Sequence, residues 1–243
     1  MKKFRRLLSV IVVAVMFASM SIMVSAEQDA LDGFKNLPYS DSIVYTPEGK
    51  VNGAYYENLQ QKLINEFTYK NKNSIAKSVL QREMQLSATH NTIPGDVYVS
   101  FTGTTSGIDF ALVGHASLVE TSGGVWCISS WPEKDGHVNG VQYEYNYWPG
   151  RNKIYGLRVT EGTSASRAAA VKAARDYVNT SPRIPYNWNF LNKFTTSSFY
   201  CSQLVWRCWK TAGIDIDRFP YDTVVSPAEL TGSNMTVLFY VND

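Results

Sequence analysis

Phe199-Tyr200-Cys201-Ser202-Gln203-Leu204-Val205-Trp206 is the stretch where a polar run turns into a helix with a cysteine in its first turn. Upstream, Thr195, Thr196, Ser197 and Ser198 are residue types that cap helix N-termini. Downstream, Leu204, Val205, Cys208, Trp209 and Ala212 follow helical spacing, and Gly213 closes the segment as a C′ residue does. A thiol in a first turn feels the positive end of the helix macrodipole, which favours thiolate and makes a nucleophile. The plainer reading stands beside it. Cys201 shares a face with Leu204, Val205 and Cys208, as a core thiol would.

Working outward, the chain has three histidines, His90, His115 and His137. His115 lies in Leu112-Val113-Gly114-His115-Ala116-Ser117-Leu118-Val119-Glu120, which reads as a strand; a second strand, Val125 to Trp131, follows Ser122-Gly123-Gly124. Gly-Gly between two apolar β-rich runs predicts a hairpin with a two-residue type I′ turn. Imidazole on such a strand is either a structural histidine with a hydrogen-bond partner or the base of a cysteine nucleophile. In the two-residue register, directly opposed side chains share a face, which puts His115 with Ile128 and Ser130. Ser130 is then placed to accept from the ring and hold its tautomer. A change of one residue in the loop substitutes Ser129. Glu120, five residues from His115, projects to the other face and reads as a solvated carboxylate.

Three landmarks in this order resemble the circularly permuted papain-like superfamily, its YiiX-like hydrolases and lecithin–retinol acyltransferases, relatives of the NlpC-type peptidases. They are Pro94-Gly95-Asp96-Val97-Tyr98-Val99, Gly114-His115-Ala116 and Tyr200 to Trp206, with weaker echoes at Pro185 to Phe190 and Ser226 to Leu230. The resemblance covers about Pro94 to the C-terminus. It implies an α+β fold, an antiparallel sheet or partial barrel packed on helices, with an N-terminal helical extension. It also implies acyl transfer through a thioester, with Cys201 the nucleophile and His115 the base. The third member is often a Glu near the end of the strand after the hairpin; here Ser129-Ser130 stand at that place. The backbone N–H of Cys201 is the expected oxyanion donor. Tyr200 either shapes that site or packs; Asn187 and Trp188 either line the cleft or form a turn after Pro185.

The first 26 residues read as a secretory signal. Lys2, Lys3, Arg5 and Arg6 precede an apolar run from Leu7 to Val24, and Val24-Ser25-Ala26 supplies a small-residue cleavage site. The expected location is extracellular or cell-wall associated, with no stable membrane insertion after cleavage. Removal takes four of the 23 basic residues, leaving 19 against 21 acids, and the full chain's charge of +2 disappears with it. That argues against nucleic-acid binding, which selects basic surfaces.

Residues 27–90 read as a polar segment followed by helical runs, Leu59 to Phe67 and Ile75 to Leu86, that pack beside the core or form a propeptide. Residues 91–243 read as the catalytic domain. Strands are predicted near 96–101, 112–120, 125–131, 141–145 and 153–159, a helix from about Ser164 to Asn179 capped by Thr163 or Ser164, and a last edge strand at Val237 to Tyr240. Cys201 and Cys208 lie about 10 Å apart along one helix, too far for a disulfide. Cys127 with Cys208 is sterically open, but three free thiols are favoured. Scattered histidines predict no metal site, and no cofactor is expected. The substrate classes left open are a peptide or other amide and an acyl-lipid; a non-catalytic binding module is the alternative of a different class.

Overall fold

The computed structural model describes residues 52–75, 92–134 and 136–242. The expected signal at 1–26, the polar segment after it, the helical run beyond Ile75 and His90 lie outside the described residues. The chain divides into two units, Met1–Ser40 and Asp41–Asp243, and every described residue lies in the second.

Strands β1 (Val97–Ser106), β2 (Ala111–Val119), β3 (Trp126–Trp131), β4 (Gly140–Tyr145), β5 (Ile154–Val159) and β6 (Thr236–Asn242) form one antiparallel sheet. Their order is β4-β3-β2-β1-β5-β6, so β1 to β4 meander across one half, while β5 returns to pair with β1 and carries β6 at the far edge. The sheet stays open, with β4 and β6 as edges, and is not closed into a barrel. Helices α1 (Gly53–Lys70), α2 (Ser164–Val178), α3 (Cys201–Thr211) and α4 (Pro227–Gly232) complete an α+β architecture.

Alternation along the strands sorts the core into two clusters, because successive side chains point to opposite faces. Leu112, Ala116, Leu118 and Ile128 join Leu204, Val205 and Trp209 of α3 in the larger cluster. Val119 and Cys127 point the other way, into a smaller cluster with Tyr98, Trp148 and Ile154. Helix α3 packs on β2, β3 and α2, while α4 packs on β1, β2 and β6. Helix α1 packs on α4 and β2. There Gln60 donates to Ala111 O at 2.9 Å and accepts from Val113 N–H at 2.9 Å, completing backbone bonds that β2 leaves open.

Pro94-Gly95-Asp96 turns the chain into β1. The carboxylate of Asp96, fully buried, takes a bidentate contact from Arg158 of β5 at 2.9 and 2.7 Å, the strong fork geometry of guanidinium on carboxylate. Gly95 has φ +89°, and its carbonyl accepts from the Trp209 indole at 3.1 Å. That landmark therefore joins sheet to helix. Glu120 is corrected from the solvated reading: it is 7% exposed and paired with Arg175 of α2.

Candidate active site

Helix α3 starts later than the serine and threonine run at 195–198 suggests. Its N-cap is Tyr200, with extended φ/ψ of −86° and 169°, and Cys201 is the first helical residue. Gln203, at the third position, accepts from Tyr200 N–H at 3.1 Å, which replaces a hydroxyl cap. The Gln203 amide donates to the carbonyls of Asn192, Lys193 and Thr195 at 3.2, 3.1 and 3.1 Å. One buried side chain thus fixes the approach to Cys201. At the far end Gly213, φ +87°, donates to Lys210 O and Ile214 donates to Trp209 O, each at 3.0 Å, the paired bonds of a Schellman stop.

Cys201 is 2% exposed. The backbone N–H groups of Ala116, of Ser202 and of Cys201 itself face its thiol, while the buried Ser202 hydroxyl has no hydrogen-bond partner. Those donors favour an anion at Sγ. Burial outweighs them and pushes the thiol up to about 11, so the resting group is a thiol. This corrects the expectation drawn from the macrodipole, whose effect of about 0.3–1 kcal/mol is smaller than the desolvation of a sealed charge. Alkylation by iodoacetamide, read residue by residue, should show Cys201 reacting roughly 100-fold more slowly at pH 8 than the same cysteine in unfolded chain. Its rate should climb with a midpoint about 11. A midpoint below about 8.5 would contradict this.

His115 is half-buried and leaves β2 on the side of the smaller cluster. Gly114, φ +84°, sits where a Cβ would lie 1.9 Å from Ser100 O. It permits the bulge that shifts the β1–β2 register between Ser100 and Thr104. The imidazole stacks on Trp131, with centroids 3.7 Å apart, and on Trp148 at 5.6 Å. Its Nε2 bonds Ser129 Oγ at 2.7 Å, and that hydroxyl also donates to Ala116 O at 3.0 Å. Burial first, then the charges of His137 and Arg151, push the ring well below the ordinary histidine range. A neutral imidazole at neutral pH can accept a proton.

Ser129, not Ser130, therefore partners His115. The hairpin pairs Leu118 with Ile128 and Val119 with Cys127. A 3-10 turn at Ser122–Gly124 lengthens the loop, and the one-residue slip exchanges the two serines between faces. Ser130 points to the helices and donates to Phe199 O at 2.5 Å, bracing the residue two before the cysteine.

Among the described residues no hydrogen bond joins the Cys201 thiol to the His115 ring. The two converge on Ala116: the thiol meets its N–H, and Ser129 bridges its carbonyl to the ring. Tyr200 is fully buried and its hydroxyl accepts from Val225 N–H at 3.1 Å, so it packs. Asn187 is also engaged by the fold. It donates to Gln203 Oε1 at 3.0 Å and Asn192 O at 3.2 Å and accepts from Asn189 N–H at 3.0 Å. Of the three expected substrate contacts, only Trp188 reaches solvent, at 43% exposed.

Sequence reasoning missed Tyr186. It borders Cys201, whose charge and whose shared burial push the phenol well up, burial first. A parallel bridge between Tyr186 and Phe199 brings it there, a contact without a local sequence signal. Trp188 packs edge-on to Tyr186 at 5.0 Å, and its carbonyl accepts from Ile108 N–H at 3.0 Å. Among the described residues no group of three His, Cys, Asp or Glu side chains is placed to hold a metal ion.

Residues 140–231 match the profile of a family described as permuted papain-like amidase enzymes, YaeF/YiiX, C92 family. The matched span contains Cys201 and excludes His115. The match agrees with the resemblance read from the sequence and supports amide hydrolysis as the general activity. A solved structure titled metalloprotein yiiX from Escherichia coli O157:H7 is similar at 15% identity, over 63% of this chain and 98% of that one, with a TM-score of 0.46. No curated protein matches.

Proposed function

We propose that this chain, whose residues 140–231 match the permuted papain-like amidases, is a secreted hydrolase cleaving amide bonds through a thioester on Cys201. Cell-wall peptides are the substrate class that suits a secreted enzyme of this kind. One observation carries the reading: the Cys201 thiol, at the first position of α3, is surrounded by N–H donors from two elements that suit an anion forming there.

In the proposed reaction Sγ attacks the amide carbon while His115 takes the thiol proton. The oxyanion of the tetrahedral intermediate accepts from the N–H groups at the start of α3. Collapse breaks the C–N bond, and His115 returns the proton to the departing amine. Water then attacks the thioester with His115 again as base, releasing acid and thiol. The ring must close on the thiol from its Ser129 contact, a tightening common when a resting site takes substrate.

The raised thiol favours a second reading, a non-catalytic ligand-binding module. Turnover separates the two. The full chain is expected to release nitroaniline from peptidyl nitroanilides, with activity lost as Cys201 is alkylated. No turnover on any amide, or turnover that survives alkylation, contradicts the proposal.

The serines give a finer test. Ser129→Ala should lower kcat/KM roughly 10-fold, because it frees the ring's orientation without removing the base. Ser130→Ala should cost about 1 kcal/mol of stability. The reverse pattern would reinstate Ser130 as the partner of His115.

A further inference from the structure

We propose that Glu144 is a positioning residue for His115, acting through the two indoles that pack on the imidazole. Glu144 lies on the edge strand β4 and never touches the ring. Its carboxylate accepts from Trp131 Nε1 at 2.9 Å, Trp148 Nε1 at 3.0 Å and Ser117 Oγ at 2.7 Å. Those donors come from β3, from the turn after β4 and from β2. Three elements thus meet on one carboxylate.

A buried indole needs one acceptor, and a backbone carbonyl suffices. Here a single charged group serves both indoles, with bonds stronger than neutral ones, and so fixes them relative to one another. Both rings that it holds are the rings against which His115 stacks, at 3.7 and 5.6 Å. Trp131 carries His137 as well, at 3.9 Å and nearly parallel. Ser117 adds a link to β2 two residues from His115. Glu144 therefore governs how tightly the aromatic walls close on the base and keep water from it.

The titratable and charged groups around the ring are His137, Arg151 and Glu144; the first two push its ionisation down, after burial. The Glu144 charge is spent on three donors, so losing it acts chiefly by letting the indoles move and water in. Desolvation then weakens, and the ring titrates nearer the histidine range.

The inference rests on the proposed amidase reading for its rate readout only; the ring's titration is independent. In the full chain, NMR titration of the histidine ring protons is compared for the parent, Glu144→Gln and Trp148→Phe. The second variant removes one indole donor and leaves Glu144 in place. In Glu144→Gln the His115 midpoint is expected to rise by about one pH unit, with a smaller rise in Trp148→Phe, and the acid limb of kcat/KM should move with it. If Glu144→Gln does not fold, Trp148→Phe decides. A His115 midpoint unchanged in the folded variants overturns the inference. A shifted midpoint without turnover upholds it and removes the amidase reading instead.

Discussion

Replacing Cys201 by alanine is expected to lower amide hydrolysis by at least about 10³-fold, the scale set by losing a covalent nucleophile while binding is kept. The fold should survive. Alanine is a good helix former, the position is the first of α3, and the groups facing the thiol are backbone N–H groups. Removing a small sulfur from a site 2% exposed should cost about 1 kcal/mol, as a minor cavity does. Rate and stability thus separate by orders of magnitude. If Cys201 were a core thiol alone, the variant would lose that small stability and no activity, as Cys208→Ala should.

Lys193→Met is expected to destabilise the fold by about 3–5 kcal/mol, the scale for leaving buried charges uncompensated. The ammonium is fully buried and donates to Asp217 at 2.6 Å, Asp222 at 2.8 Å and Phe219 O at 3.0 Å. Burial alone would push it down; Asp222 and Asp217 hold it above its ordinary value. Burial pushes Asp222 up to about 7 and Asp217 up, while Lys193 pulls both back. Glu229 beside them is held well up, again by burial first. For Asp222 the folded state binds its proton more tightly than the unfolded chain. Its contribution is therefore present below 3.8 and lost as pH rises through about 7. Without Lys193 the carboxylates repel unopposed, so urea denaturation should show a larger loss at pH 8 than at pH 5. An equal loss at both would mean that the ammonium contributes packing alone. Because Gln203 reads the Lys193 carbonyl, the approach to Cys201 should loosen as well.

The framework was legible where a pattern is local. Apolar alternation located β2 and β3, helical spacing located α2 and α3, and Gly213 marked the stop of α3 to the residue. Loop chemistry was less legible. Gly123 and Gly124 suggest a tight hairpin, but Thr121 Oγ1 accepts from Trp126 N–H at 3.0 Å and the 3-10 turn takes up a longer loop. The period of two then exchanges Ser130 for Ser129. Charge states were hidden for a related reason. Arg175 comes to Glu120 from a helix 55 positions away, and no local pattern announces the pair. The helix start marked Cys201, but its titration depends on how deeply the fold buries it. α4 has a legible start as well, since Ser226 and Glu229 cap it reciprocally.

The central claim is that Cys201 forms an acyl-enzyme. Intact-protein mass spectrometry after brief mixing with nitrophenyl acetate, followed by peptide mapping, tests it most directly. The account predicts one acetyl group on Cys201, absent from Cys201→Ala and slow both to form and to clear in His115→Ala. Acetylation spread over Cys127 and Cys208, or an adduct that persists in Cys201→Ala, would contradict it.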